Sequence, residues 1–289
     1  MARVSGRFAP SPTGTLHLGN LRTALLAWLF ARSAGSRFRV RMEDLDQGRV
    51  RAGAAERQLR DLAAIGLDWD GDVVFQSHRH HAYEAAIERL RADGRVYECF
   101  CTRAEIREAA SAPHGALAEG AYPGTCRSLS GAERAAFEAA GRRPALRVRA
   151  GGARVEVEDS QLGAVSGVVD DFVVRRGDGA FAYNLAVVVD DGAQGVTQVV
   201  RRAVLLDSTP RQVWLARTLG LPEPSYAHVP LVLGPDGARL AKRHGAVTLR
   251  DVDAAEARRW IAASLGLRED LSDFDPVRLP TEPTIYEPN

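Results

Sequence analysis

The stretch from Gly6 to Asp46, GRFAPSPTGTLHLGNLRTALLAWLFARSAGSRFRVRMEDLD, constrains the fold more than any other part of the 289-residue chain. An apolar run at Val4 to Phe8 leads into Ala9-Pro10-Ser11-Pro12-Thr13-Gly14, where prolines and glycine forbid both helix and central strand. From Leu18 the apolar residues recur at helical spacing: Leu18, Leu21, Leu25, Trp28 and Leu29 share one face, with Arg22 and Arg32 turned away. Gly35 ends that helix, and Phe38 to Met42 alternates at strand period, delivering Glu43, Asp44 and Asp46 at its carboxyl end. A β-loop-helix-β unit of this kind predicts an α/β protein with a parallel sheet, its first loop and helix start at the ligand edge. His17, Gly19 and Asn20 occupy that start, where the helix dipole favours phosphate, two side chains can donate, and glycine permits close backbone approach. The same residues also suit an ordinary polar helix cap. No G-x-G-x-x-G follows the strand, and Gly14 to Gly19 lacks the Lys-Ser/Thr of a Walker loop.

The chain is long enough for one large domain with an insertion, or for two domains. It has no apolar run of membrane-spanning length and no signal-peptide core, so a cytoplasmic location is expected. A net charge of +1 removes any global attraction to nucleic acid, leaving RNA contact to local arginine-lined surfaces. Of 38 basic residues, Lys242 alone is a lysine. A codon bias explains the arginines but not the exception, and a compact ammonium reaches a phosphoryl oxygen where a planar guanidinium does not fit.

Farther along, Ala54 to Ile65 reads as an amphipathic helix, Val73 to Gln76 as a strand, and Ser77 as the cap of a helix running to about Arg91. His78, His80 and His81 fall in its first turn and read as a solvated face. Cys99-x-Cys101 and Tyr122-x-x-x-Cys126 supply three thiolates and a phenol, a zinc donor set by type, although C-x-C is as often buried structural cysteine. Residues 141–178 show short β-prone runs with glycine-rich turns, including Gly167 to Val174 and a last strand at Asp170 to Arg176, which suggests a small antiparallel insertion facing RNA or closing as a lid. The valine run before Asp190 and Asp191 reads as a buried parallel strand. Strands are also expected at Gly195 to Arg201 and at His228 to Leu233, and helices after Ser208 and from Asp251 to Leu265.

Ser11-Pro-Thr-Gly-Thr-Leu-His17-Leu-Gly19-Asn20 and Arg41-Met-Glu43-Asp44-Leu-Asp46 resemble the first signature of glutamyl-tRNA synthetases, class I enzymes with a HIGH-type motif. Tyr183 to Asp191, Gly195 to Arg201, Ser208-Thr-Pro-Arg-Gln212 and the Arg239-to-Arg243 loop resemble that family's second half and its KMSKS-type loop. The sequence ends one helix after that loop, and together with the cysteine pattern this is similar to the glutamyl-Q tRNA(Asp) synthetases. The resemblance implies a doubly wound, Rossmann-like catalytic domain (1–97 and 181–250), an inserted α+β subdomain (98–180), and a helical tail (251–289) without an anticodon-binding domain. It implies ATP, Mg²⁺ and Zn²⁺, with L-glutamate and queuosine-bearing tRNA(Asp) as partners of a monomer. Charging of a tRNA 3′ end, or a catalytically weakened tRNA-binding paralogue, are the alternatives. Carried over by position, the glutamate site falls on Arg7, Phe8, Ala9, Pro10, Ser11, Glu43, Tyr183 and Arg201, with Arg201 gripping the side-chain carboxylate bidentately and Glu43 accepting from the ammonium. ATP falls to His17, Gly19, Asn20 and Lys242, and zinc to Cys99, Cys101, Tyr122 and Cys126. Ala241, Arg202 and Val204 depart from the family's serine, glycine and aspartate.

Overall fold

The computed structural model describes residues 5–110, 121–238, 240 and 247–286. It opens with the predicted unit of β1 (Ser5–Phe8), α1 (Leu18–Ser33) and β2 (Arg37–Met42), followed by α2 (Ala54–Ala64), β3 (Val74–Phe75) and α3 (His80–Ala92). Next come β4 (Val96–Cys99), α4 (Arg103–Ala110), α5 (Gly131–Ala139), β5 (Ala145–Val148), β6 (Ala153–Asp159), β7 (Gly163–Val169) and β8 (Val173–Arg175). The last part holds α6 (Tyr183–Gln194), β9 (Gln198–Arg202), α7 (Thr209–Leu219), β10 (Ser225–Val229), β11 (Val232–Leu233), α8 (Ala254–Ser264) and β12 (Thr284–Ile285).

Strands β1, β2 and β3 pair in parallel, as do β9, β10 and β6, with β7 antiparallel on the β6 edge. The two halves meet where β1 runs beside β9: Thr197 N–H donates to Ser5 O and Ser5 N–H to Thr197 Oγ1, both at 2.9 Å. The resulting order, β3-β2-β1-β9-β10-β6-β7, reverses direction of winding between β1 and β9, where an α/β sheet opens a crevice at its carboxyl edge. Side-chain alternation on the central strands feeds two cores. Val200, Ala227 and Val229 pack with α1 and α8 on one face, while Val199 and Tyr226 pack with α3, α6 and α7 on the other. The protein is therefore doubly wound. Gly6 lets α1 settle on β1, since a Cβ there would lie 3.1 Å from that of Ala31.

Several expectations change. The valine run is helix, not strand: α6 buries Leu185 through Asp191 and closes on Gly195 at φ 63°. An unbroken apolar run carries no period, so only its 12-residue length and its glycine stop could have separated the two. Arg22 does not turn to solvent. It is 1% exposed, donating to Pro230 O at 3.0 Å and Ser264 Oγ at 3.1 Å, and burial pulls its pKa down to about 10. Helix α1 is covered on nearly every side, so it has no solvent face to give an arginine. Ser77 caps nothing; its Oγ donates to Asp44 Oδ2 at 2.6 Å and α3 starts three residues later. The strand expected from His228 to Leu233 breaks at Pro230, which lacks the ladder N–H.

The β-strands between residues 145 and 175 do not form one sheet. Hairpin β6–β7 extends the main sheet through Tyr226 against Asp159, while β4, β5 and β8 make a separate antiparallel sheet. Gly167 to Val174 is split at Asp170-Asp171-Phe172 because both carboxylates are engaged from outside. Asp171 accepts from Tyr97 Oη and Arg127 Nε, each at 2.7 Å, and Asp170 from Arg211 Nε at 2.7 Å. The hairpin packs on α7 so closely that a Cβ on Gly167 would sit 2.6 Å from Pro210 Cγ. Gly167→Ala should therefore cost about 1–3 kcal/mol in urea unfolding. Gly131→Ala, which meets open space at the start of α5, should cost nothing measurable.

Candidate active site

The carboxyl end of β1 runs into a loop pinned by its own backbone. Glu43 N–H donates to Pro10 O at 2.9 Å, Arg51 N–H to Pro12 O at 3.0 Å, and the buried Gln58 amide to Ser11 O at 3.1 Å and Gly14 O at 2.8 Å. Helix α1 then begins with His17 as its cap residue, and Asn20 Oδ1 accepts from His17 N–H at 3.3 Å. This leaves the Asn20 amide hydrogens for another acceptor. Leu18 N–H is taken by Val247 O at 2.9 Å, and Asn20 and Leu21 N–H by His17 O, so Gly19 keeps the one open donor of the first turn among the described residues. The space where a Gly19 Cβ would stand is filled by the His17 ring at 3.1 Å and by Val232 at 3.4 Å. Glycine here seats the imidazole.

Above the switch between β1 and β9 lies a cavity of about 440 Å³. It brings together Arg7, Phe8, Ala9, Pro10, Ser11, His17, Asn20, Glu43, Tyr183 and Arg201, residues spread over nearly two hundred positions of sequence. Arg202 lines it as well. An adjoining cavity of about 870 Å³ shares Ser11, Glu43 and Tyr183 and extends to Cys101, Arg147 and Phe181. Lys242 lies outside the described residues. Its described neighbours in sequence are anchored beside α1, with Leu240 buried in the α1 core and Val247 bonded to Leu18.

Beneath the cavity floor is an ion network that the sequence reading did not identify. Arg41, 0% exposed, donates to Asp191 Oδ1 at 2.7 Å, Gln194 Oε1 at 2.8 Å and Glu43 Oε1 at 3.4 Å. Arg7 donates to both Asp191 oxygens at 3.4 and 3.5 Å and lines the cavity. Asp190 accepts from Gln76 Nε2 at 2.9 Å and Tyr83 Oη at 2.8 Å, and pairs with Arg79. Burial would push Asp191 up, but Arg7 and Arg41 outweigh it and hold the carboxyl below its ordinary range. For Glu43 burial wins over Arg41 and Arg7, and its pKa is raised. Two adjacent charges inside an apolar run were the available sequence signal.

Arg201, 4% exposed, is bound differently. Its Nε donates to His228 Nε2 at 3.0 Å, Nη1 to Gln212 Oε1 at 2.7 Å, and Nη2 to Thr209 Oγ1 at 2.8 Å and Leu205 O at 3.3 Å. All these acceptors are neutral, and burial lowers the guanidinium pKa. Four of its five N–H groups are spent, so the expected bidentate grip is not available from Arg201 alone. It retains one donor, and Arg7 lines the same cavity.

The cysteines form a second centre. The Cys99, Cys101 and Cys126 sulfurs lie within 4.8 Å of one another, and the Tyr122 hydroxyl is 3.3 Å from Cys99 Sγ and 3.7 Å from Cys101 Sγ. Three thiols and a phenol oxygen converging on one point could hold a metal ion, and Cys101 borders the larger cavity. His78, His80 and His81 are exposed on the molecular surface.

Breaking the buried network should be costly. Asp191→Asn leaves Arg41 and Arg7 short of a counter-charge, and the expected loss is about 3–5 kcal/mol by urea unfolding at neutral pH. Because the folded-state pKa is depressed, the stabilisation is present above about pH 4 and fades as pH falls through the folded value. Wild type and variant should therefore converge in acid.

Residues 3–268 match the family described as tRNA synthetases class I (E and Q), catalytic domain. A glutamyl-Q tRNA(Asp) synthetase of Nocardia farcinica is 63% identical over 99% of this chain and 94% of its own length. One from Symbiobacterium thermophilum is 50% identical over 97% of this chain and 95% of its own. Among solved structures, a glutamate tRNA ligase from Elizabethkingia meningosepticum in complex with its amino acid superposes with a TM-score of 0.83 at 26% identity, covering 99% of this chain and 67% of that one. The reversal point between β1 and β9, the HIGH-type helix start above it and these likenesses agree: the chain belongs to the glutamyl-Q tRNA(Asp) synthetase family of class I tRNA synthetases.

Proposed function

We propose that the chain activates L-glutamate with ATP and passes it to the queuosine of tRNA(Asp), as a cytoplasmic monomer. The observation that carries this reading is the buried Arg201 cation, hydrogen-bonded to neutral acceptors only, in one cavity with Arg7 and Glu43. A buried cation of this kind calls for an anionic partner from outside the protein. A glutamate side-chain carboxylate between Arg7 and Arg201, with its ammonium on Glu43, meets both demands. Tyr183, Phe8, Ala9, Pro10 and Ser11 close the remaining walls. None of the described helices is long and apolar enough to cross a membrane.

In the first step an α-carboxylate oxygen of glutamate attacks the α-phosphorus of ATP and pyrophosphate leaves. His17, Gly19 and Asn20, at the positive end of α1, and Lys242 offset the charge that grows on the phosphates, with Mg²⁺ travelling as the nucleotide's counter-ion. In the second step a hydroxyl of the queuosine cyclopentenediol attacks the acyl carbon and AMP departs. The adjoining cavity at Ser11, Glu43 and Tyr183 gives the acceptor a way in. The names of the relatives supply the identity of that acceptor. We assign residues 1–97 and 181–250 to the catalytic unit, 98–180 to the insertion and 251–289 to the tail.

Labelled glutamate should appear on tRNA(Asp) carrying queuosine and not on the same tRNA without it; transfer to the unmodified tRNA would overturn the assignment. Lys242→Arg should fold normally yet lose glutamate-dependent ATP–pyrophosphate exchange, whereas retained exchange would refute the role given to the lone lysine. For the cysteine centre we propose zinc, held by Cys99, Cys101, Cys126 and Tyr122 as a closed structural site that contributes to folding and not to the reaction. Purified protein should carry about one zinc per chain by elemental analysis, and Cys126→Ser should lower both the zinc content and the melting temperature.

A further inference from the structure

The cradle of Arg201 depends on a carboxylate that never reaches the cavity. Asp159, at the end of β6, lies with Oδ2 2.5 Å from His228 Nδ1, and both residues are almost wholly buried. A carboxylate facing Nδ1 keeps the imidazole proton on that nitrogen and leaves a lone pair on Nε2. Arg201 Nε–H points at that lone pair from 3.0 Å. Since a guanidinium can only donate, the imidazole has to be neutral and in this one tautomer. The opposite tautomer would set N–H against N–H.

The other contacts repeat the logic. Thr209 Oγ1 accepts from Arg201 Nη2 at 2.8 Å and lies 3.2 Å from His228 Nε2, beside the lone pair that Arg201 Nε–H occupies. Gln212 Nε2 donates to Asn184 Oδ1 at 3.1 Å, which turns Gln212 Oε1 toward Arg201. The charge of Asp159 is absorbed one layer out, by His228 and by the backbone N–H groups of Gln161 at 3.0 Å and Leu162 at 3.1 Å. Arg201 is thereby fixed in direction without being neutralised. An aspartate in direct contact with it would have fixed it equally well and cancelled its attraction for an anion.

We propose that Asp159 and His228 are positioning residues that aim an uncompensated Arg201 at the side-chain carboxylate of an acidic amino acid, and so set the affinity for that substrate. This rests on the glutamate reading above, and it gives hairpin β6–β7, which lies within the insertion by sequence, a part in amino-acid selection. The test is the initial rate of glutamate-dependent ATP–pyrophosphate exchange by wild type, His228→Leu, His228→Gln and Asp159→Asn, with a melting curve for each. His228→Leu and Asp159→Asn should raise KM for glutamate about ten- to hundredfold, the scale of one hydrogen bond to a charged group, with KM for ATP unchanged. His228→Gln, whose amide oxygen can accept from Arg201 Nε–H, should recover most of the loss. A wild-type glutamate KM in folded His228→Leu would overturn the relay. So would equal shifts in both KM values and kcat with no rescue by glutamine, which is the pattern of general structural damage. Absence of glutamate-dependent exchange in the wild type would instead overturn the proposed function, and this inference with it.

Discussion

The pairing of Asp191 with Arg41 and Arg7 is the contact on which the molecule depends. It joins strands β1 and β2 of the first half to helix α6 of the second, among side chains that are almost wholly buried. Two guanidinium groups in that position are tolerable only with the carboxylates of Asp190, Asp191 and Glu43 around them. The cavity floor therefore has its geometry set by charge balance, and the halves of the sheet are held in one relation to each other. Packing alone would leave that relation softer.

Arg201 stands outside this balance. Buried Arg7, Arg41, Asp190 and Asp191, with the half-buried Glu43 and Arg79 at their edge, satisfy one another, and one further cation, Arg201, is held among neutral acceptors. Under the proposed function, selectivity for an anion follows from what was left unpaired. Such a site holds its electrostatic demand in reserve until ligand arrives, which is the arrangement expected of groups that must not reorganise on binding.

The sequence made parts of this plain. Gly6 to Asp46 announced β-loop-helix-β because its punctuation is strong and its periods differ, 3.6 after Leu18 and 2 after Phe38. The members of the cavity were reachable only through family resemblance, since Arg7, Glu43 and Arg201 are each unremarkable where they stand. Helix α6 was hidden by β-branched residues, because burial on all sides removes the polar stripe that betrays a helix. Arg22 misled for the opposite reason: a charge at helical spacing signals solvent unless carbonyls elsewhere in the fold come to meet it. His228 and Asp159 are 69 residues apart, and no local pattern connects them.

The crossing at Asp170-Asp171 ties the far ends of the molecule together. Asp171 is held by Tyr97 and Arg127, which flank the cysteine centre in sequence, and Asp170 by Arg211, which lies between the Thr209 and Gln212 that cradle Arg201. Two adjacent carboxylates thus weld the thiol-bearing sheet to the start of α7. Opening either region would break an ion pair or hydrogen bond of the other, so through this one dipeptide the stability of the thiol-bearing sheet is linked to that of the helix start beside Arg201.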